Sequence, residues 1–194
     1  MFFDKSNSIF KFIVTLVFFL FFNANNLFSL TQDIDINIAS SSPLEIEYVL
    51  AKGICKMLSR ELDVSKFMGG TNTLNCKVHI TKGIKQNLKF IKSKKTNYAI
   101  IDLTNIPSNY DISFLKSLIF FKGIKKNWLL VTLAEEEKLK TCEITEAIFK
   151  NSLELKYLHD DFKKFSHETF IIKKVPVHNG SFEYFKTKKC KFKK

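Results

Sequence analysis

The chain is 194 residues long, 45% apolar and 26% charged, with a formal net charge of +12 at pH 7. A surplus of that size ordinarily raises nucleic acid or an anionic membrane surface as a partner. Yet Arg60 is the only arginine among 31 basic residues, so the planar fork that reads phosphate and guanine is nearly absent; the lysine excess is read as an A/T-rich coding bias and nucleic acid is set aside.

At the amino terminus, Lys5 and Lys11 precede an apolar run from Phe12 to Phe22, followed by polar Asn23 to Asn26 and a small residue, Ser29. That order is the order of a secretory signal peptide over residues 1–29. The run is shorter than the ~20 residues that span a bilayer, so the segment is either cleaved or kept as a membrane anchor. Residues 30–194 then suit one domain, exported to the periplasm or beyond.

Ile34, Ile36 and Ile38 alternate with polar residues, which predicts a first strand over Asp33 to Ala39. Ser40 to Ser42 and Pro43 supply an N-cap and a first-turn proline, so a helix is expected at once, with Ile46, Val49, Leu50, Gly53, Ile54, Met57, Leu58 and Leu62 as its apolar stripe and Gly69-Gly70 closing the segment. Cys76, Val78 and Ile80 mark a second strand, Ile84, Leu88 and Ile91 a second helix, and Tyr98 to Ile101 a short buried strand. This β-α-β-α-β order implies an α/β fold with a mostly parallel sheet flanked by helices.

Leu115 to Phe121 and Trp128 to Leu133 are further strands, joined by Lys122 to Asn127 either as a hairpin or as two separated strands. A long helix is predicted from Glu135 to about Leu158, with Glu135 to Glu137 in its first turn, where the helix dipole favours negative charge. A last helix follows Asn179-Gly180, through Tyr184 to Lys189. The lysine-rich tail from Lys186 to Lys194 reads as a solvated terminus or a contact with anionic lipid.

Four cysteines in an exported chain invite disulfides. Cys55, in a helix, and Cys76, in a strand, would close a loop worth ~3 kcal/mol, leaving Cys142 and Cys190; buried free thiols are the alternative. No CxxC or Cys/His spacing points to a metal. His79, His159 and His167 have no partners at catalytic spacing, and no nucleophile triad, phosphate loop or carboxylate pair stands out, so neither an enzyme nor a cofactor is expected.

Four segments resemble the TAXI family of TRAP-transporter solute-binding proteins. SSPLEIEYVLAKGICKMLSR, Ser41 to Arg60, resembles the family's first strand-to-helix segment, and CKVHITKGIKQNLKFIKSKKTNYAIID, Cys76 to Asp102, the next, with Cys76, Val78, Thr81, Gly83, Asn87, Ser93 and Ile100 in register. CEITEAIFKNSLELKYLH, Cys142 to His159, and VPVHNGSFEYF, Val175 to Phe185, look like its later helix and its close, where His178 matches a family histidine. The resemblance implies a single lobe of a periplasmic-binding-protein-like fold, with the second lobe missing near 121–127.

It also implies a ligand site on the turns that follow the strands. Ser40, Ser41 and Ser42 occupy the first such turn and Thr81, Lys82 and Gly83 the second, while Asp102 ends the third strand at the carboxyl edge where open parallel sheets bind ligands. Ser41, Ser42, Thr81, Gly83 and Asp102 are therefore the candidate ligand contacts. Helix capping by the serines, a strand-end hydroxyl for Thr81 and turn formation by Asp102 are the plainer roles for the same residues. Ala39, Ser41, Glu45 and Lys82 stand where the family has glycine, which makes backbone approach to an anion harder. The implied partners are a small carboxylate or amino-acid-like solute and a TRAP membrane permease. Two other classes stand beside this reading: a repurposed envelope protein that binds no solute, and a basic, membrane-associated exported protein.

Overall fold

The computed structural model describes residues 34–62, 74–107, 110–162 and 175–190. The expected signal at 1–29, the Gly69-Gly70 stop, His167 and the end of the lysine tail lie outside the described residues. The elements run β1 (Ile34–Ser40), α1 (Ile46–Glu61), β2 (Leu74–Ile80), α2 (Ile84–Lys92), β3 (Tyr98–Asp102), β4 (Leu115–Lys122), β5 (Asn127–Leu133), α3 (Lys138–Leu155) and α4 (Asn179–Thr187), with short 3-10 turns at Leu103–Asn105 and Asp160–Phe162.

The five strands form one sheet in the order β2-β1-β3-β5-β4. β1 pairs parallel with both β2 and β3, as two successive crossover helices require, whereas β5 is antiparallel to β3 and to β4. β4 consequently runs with the first three strands, and β5 alone is reversed. The expected mostly parallel α/β sheet is thus present, and the open alternative for the second half resolves as a hairpin. Its turn closes with Gly123 N–H donating to the Lys126 carbonyl at 2.9 Å.

Side chains alternate between two cores, as the two-residue period of strands dictates. Ile36, Ile38, Tyr98, Ile100, Trp128 and Leu130 face α1 and α3, while Ala39, Ala99, Ile101, Leu129 and Val131 face α2 and the segment around Ile112 and Leu115. A register shift between Ser117 and Ile119 breaks this alternation on β4, so Leu118 and Ile119 both join the first core. On the outer side of β4, Ser117 N–H donates to the Pro176 carbonyl (2.9 Å) and His178 N–H to the Ser117 carbonyl (2.8 Å), which pairs the backbone of Ser117 on this edge strand.

Two disulfides staple the periphery. Cys55–Cys76 ties α1 to the edge strand β2, and Cys142–Cys190 ties α3 to the chain beyond α4, with Cα separations of 5.3 and 5.6 Å. Among the described residues no cysteine is left free. Such bridges are compatible with an exported, oxidising location. No helix among the described residues is long and apolar enough to cross a membrane.

Three helix starts differ from expectation: α4 already includes Asn179 and Gly180, because His178 serves as its N-cap, and the other two are the serine turn and the acidic run. The serine turn does not cap α1: Glu45 N–H donates to the Ser42 carbonyl at 2.9 Å, closing a turn over 42–45, and the helix begins at Ile46 without a side-chain cap. Likewise Glu135 to Glu137 precede α3 rather than forming its first turn: Glu136 N–H donates to the Leu133 carbonyl at 3.3 Å in a turn after β5, while its carboxylate accepts from Lys140 Nζ (2.8 Å) and the buried Tyr98 hydroxyl (3.2 Å).

Candidate functional site

The carboxyl ends of β1, β2 and β3 and the β4–β5 turn converge on one cleft of about 380 Å³. Ser41, Ser42, Thr81, Gly83 and Asp102 all line it, joined by Glu45, Glu47, Lys82, Asn87 and Lys126. Parallel strands release their crossover chains at this edge, so turns from distant sequence positions meet there.

The first wall is the turn over 42–45 and the start of α1. Ser42 Oγ accepts weakly from Leu44 N–H at 3.4 Å, while Ser41 Oγ donates to Glu47 Oε2 at 3.2 Å. Glu47 is buried although α1 is otherwise amphipathic, because it sits on the same face as Leu50, Ala51 and Ile54. Its other oxygen accepts from the Trp128 indole N–H at 3.2 Å. A buried carboxylate held by two neutral donors still carries charge that calls for a cation nearby.

That cation is Lys126, from the hairpin turn. Its ammonium lies 3.2 Å from Asp102 Oδ2 and 3.9 Å from Glu47 Oε1. Partial burial works against the charged form, but the Asp102 hydrogen bond and the fields of Glu47, Asp102 and Glu45 outweigh it and hold Lys126 above the ordinary lysine value. Asp102 also caps the 3-10 turn, its Oδ1 accepting from the Thr104 amide (2.9 Å) and hydroxyl (2.6 Å).

The second wall is a buried polar knot. Thr81 Oγ1 lies 2.7 Å from the Ser40 carbonyl and 2.5 Å from Asn87 Oδ1, and Asn87 Nδ2 donates to the Ile100 carbonyl at 3.0 Å. Thr81 thereby locks β1, β2 and α2 together, and its plain role as a strand-end hydroxyl is realised. Gly83 sits at φ +109°, a conformation open to glycine alone, and its missing side chain leaves the turn bare toward the cleft. Lys82 donates its amide to Gln86 Oε1 at 2.7 Å and leaves its ammonium exposed.

Sequence reasoning missed Glu47, Asn87, Lys126 and Trp128 as parts of the site. A signal existed for Glu47, an acidic residue on the apolar stripe of a helix, whereas nothing in the sequence distinguishes Lys126 from Lys122 or Lys125. His178 lies away from the cleft: its Nδ1 accepts from Gly180 N–H at 3.1 Å, capping α4, and sits 2.8 Å from Thr141 Oγ1. No group of three or more potential metal ligands occurs among the described residues. No protein-family model matches this chain, and no curated protein matches it.

Proposed function

We propose that this chain is an exported, non-enzymatic solute-binding lobe of the TAXI type, which holds a small amino-acid-like solute for a TRAP membrane permease. The observation that carries this reading is convergence: five residues placed by strand ends and family resemblance line one cleft at the carboxyl edge of the sheet. The tight Gly123–Lys126 turn supports it as well, since it stands where the resemblance puts the missing second lobe.

The cleft's charges narrow the solute. Glu45, Glu47 and Asp102 face Lys82 and Lys126, so both signs are present and acid is in slight excess. A zwitterion can place an ammonium toward the carboxylates and a carboxylate toward Lys82 and the bare Gly83 turn; a dicarboxylate meets repulsion.

The test is a thermal-shift and calorimetric screen against glutamate, glutamine and a set of dicarboxylates, with the single buried Trp128 as a fluorescent reporter beside Glu47. Saturable stabilisation by the amino acids, weakened by Ser42→Ala, supports the reading. Thr81→Ala is less informative because it also unties the polar knot. A cooperative melt unmoved by every compound sinks it in favour of a repurposed lobe, a second reading favoured by the seat Lys126 already takes between Asp102 and Glu47.

A further inference from the structure

The cleft opens to solvent between the β1–α1 and β2–α2 turns, and exposed aliphatic residues adjoin its lining in sequence. Leu44 is 95% exposed, Ile80 54% and Ile124 51%. Each lies within two residues of a lining residue: Leu44 next to Glu45, Ile80 next to Thr81, Ile124 two before Lys126. All three belong to turns or strand ends at the carboxyl edge of the sheet, the edge on which the cleft opens. Scattered single residues of this kind are ordinary on a surface; among the described residues three of the seven large exposed apolar side chains share the sheet edge on which the cleft opens, the others being Leu153, Tyr157, Leu158 and Phe182.

The charges at the mouth select the partner. Glu45 stands on the bank formed by the β1–α1 turn and Lys82 on the bank formed by the β2–α2 turn; both are exposed and neither makes an ion pair among the described residues. A surface of one sign, such as an anionic membrane, is attracted by one bank and repelled by the other. The same surface turned over by a twofold axis along the cleft sets each bank against its opposite, which is the self-complementarity of an isologous contact.

We propose that a second copy of this chain docks face to face over the cleft, with Glu45 opposite the partner's Lys82 and the three aliphatic residues buried at the rim. The second copy supplies the wall that a lone lobe lacks, so the closed site is a property of the dimer. This goes beyond solute binding and does not require it.

The experiment is the mass of the full chain in solution, by light scattering on a sizing column, for the wild type, Glu45→Lys, Lys82→Glu and an equimolar mixture of the two variants. Both residues are exposed, so the variants keep the fold, which the Trp128 emission verifies. The expected result is a wild-type dimer, a dissociation constant raised about tenfold or more in each variant alone, and a dimer regained on mixing, where every facing pair is again opposite in sign. Leu44→Asp weakens the dimer without rescue by mixing. A wild type that stays monomeric overturns the proposal. So does a dimer that both single variants retain, as association through the apolar amino terminus would give, or a mixture that fails to recover. The readout is mass, so absence of solute binding leaves the test intact.

Discussion

Lys126 Nζ lies 3.2 Å from Asp102 Oδ2, an ion pair that closes the β4–β5 turn onto the carboxyl end of β3. Hairpin and cleft floor are thereby one unit, and a residue with no distinguishing mark in sequence becomes the cation for two buried carboxylates.

Removing it tests that account. Lys126→Ala removes a cation that faces both buried carboxylates, Asp102 and Glu47, and because the ammonium is itself partly exposed the cost is reduced to about 1–2 kcal/mol of stability. Urea unfolding followed by Trp128 emission measures it. Lys126→Arg retains most of the stability if charge is what matters, and an unchanged midpoint in Lys126→Ala would contradict the role assigned to the pair.

The disulfides carry a larger share. Cys55–Cys76 and Cys142–Cys190 have sequence separations of 21 and 48. Loop-closure entropy then gives about 3 and about 4 kcal/mol respectively. Paired serine variants, melted beside the oxidised wild type, are expected to lose stability in that order, and a reducing agent is expected to lower the wild-type midpoint and leave a variant lacking both bridges unmoved.

Gly180 and Gly83 are needed for opposite reasons. At Gly180 an added Cβ meets the Thr141 hydroxyl and the Lys138 carbonyl, so Gly180→Ala forces α4 away from α3 and costs about 2–3 kcal/mol. At Gly83 an added Cβ meets open space, and the penalty is the backbone at φ +109°, about 1–3 kcal/mol. Thermal melts of the two variants, with the Trp128 signal for the cleft and far-ultraviolet dichroism for the helices, separate packing loss from backbone strain.

His178 makes stability depend on pH. Burial pushes its imidazole below the ordinary histidine value, against the opposing pull of the Ala134 and Glu136 carbonyls and the Glu136 charge. The unfolded chain therefore takes up the proton more readily than the folded one. The stabilisation is complete above about pH 6.5 and is lost as pH falls through the lower folded value. His178→Asn keeps an acceptor at the N-cap and does not titrate, so its melting temperature is expected to vary less between pH 7 and 5; an equal slope in both proteins would refute the assignment.

Period and punctuation alone determined the elements of this protein and the class of its sheet. Ile34, Ile36 and Ile38 alternate, the α1 stripe repeats at helical spacing, and two crossover helices between three strands permit little besides parallel pairing, because these are local rules enforced by sterics and burial. The sequence left Cys55 and Cys76 open between a bridge and buried free thiols, which the structure resolves as a bridge, and the cleft residues were legible through the family resemblance and the rule that crossover chains in a parallel sheet leave at one edge.

What only the tertiary structure decided were matters of distance between remote segments. The serine turn uses its carbonyl to close on Glu45 instead of capping α1, and Glu136 closes a turn on the Leu133 carbonyl instead of opening α3; both are choices between hydrogen-bond partners of similar local merit, settled by what packs nearby. Glu47, Trp128 and Lys126 meet only because β5 is inserted beside β3 in the reversed direction, and no periodicity in the chain encodes which lysine of a turn will face a buried carboxylate.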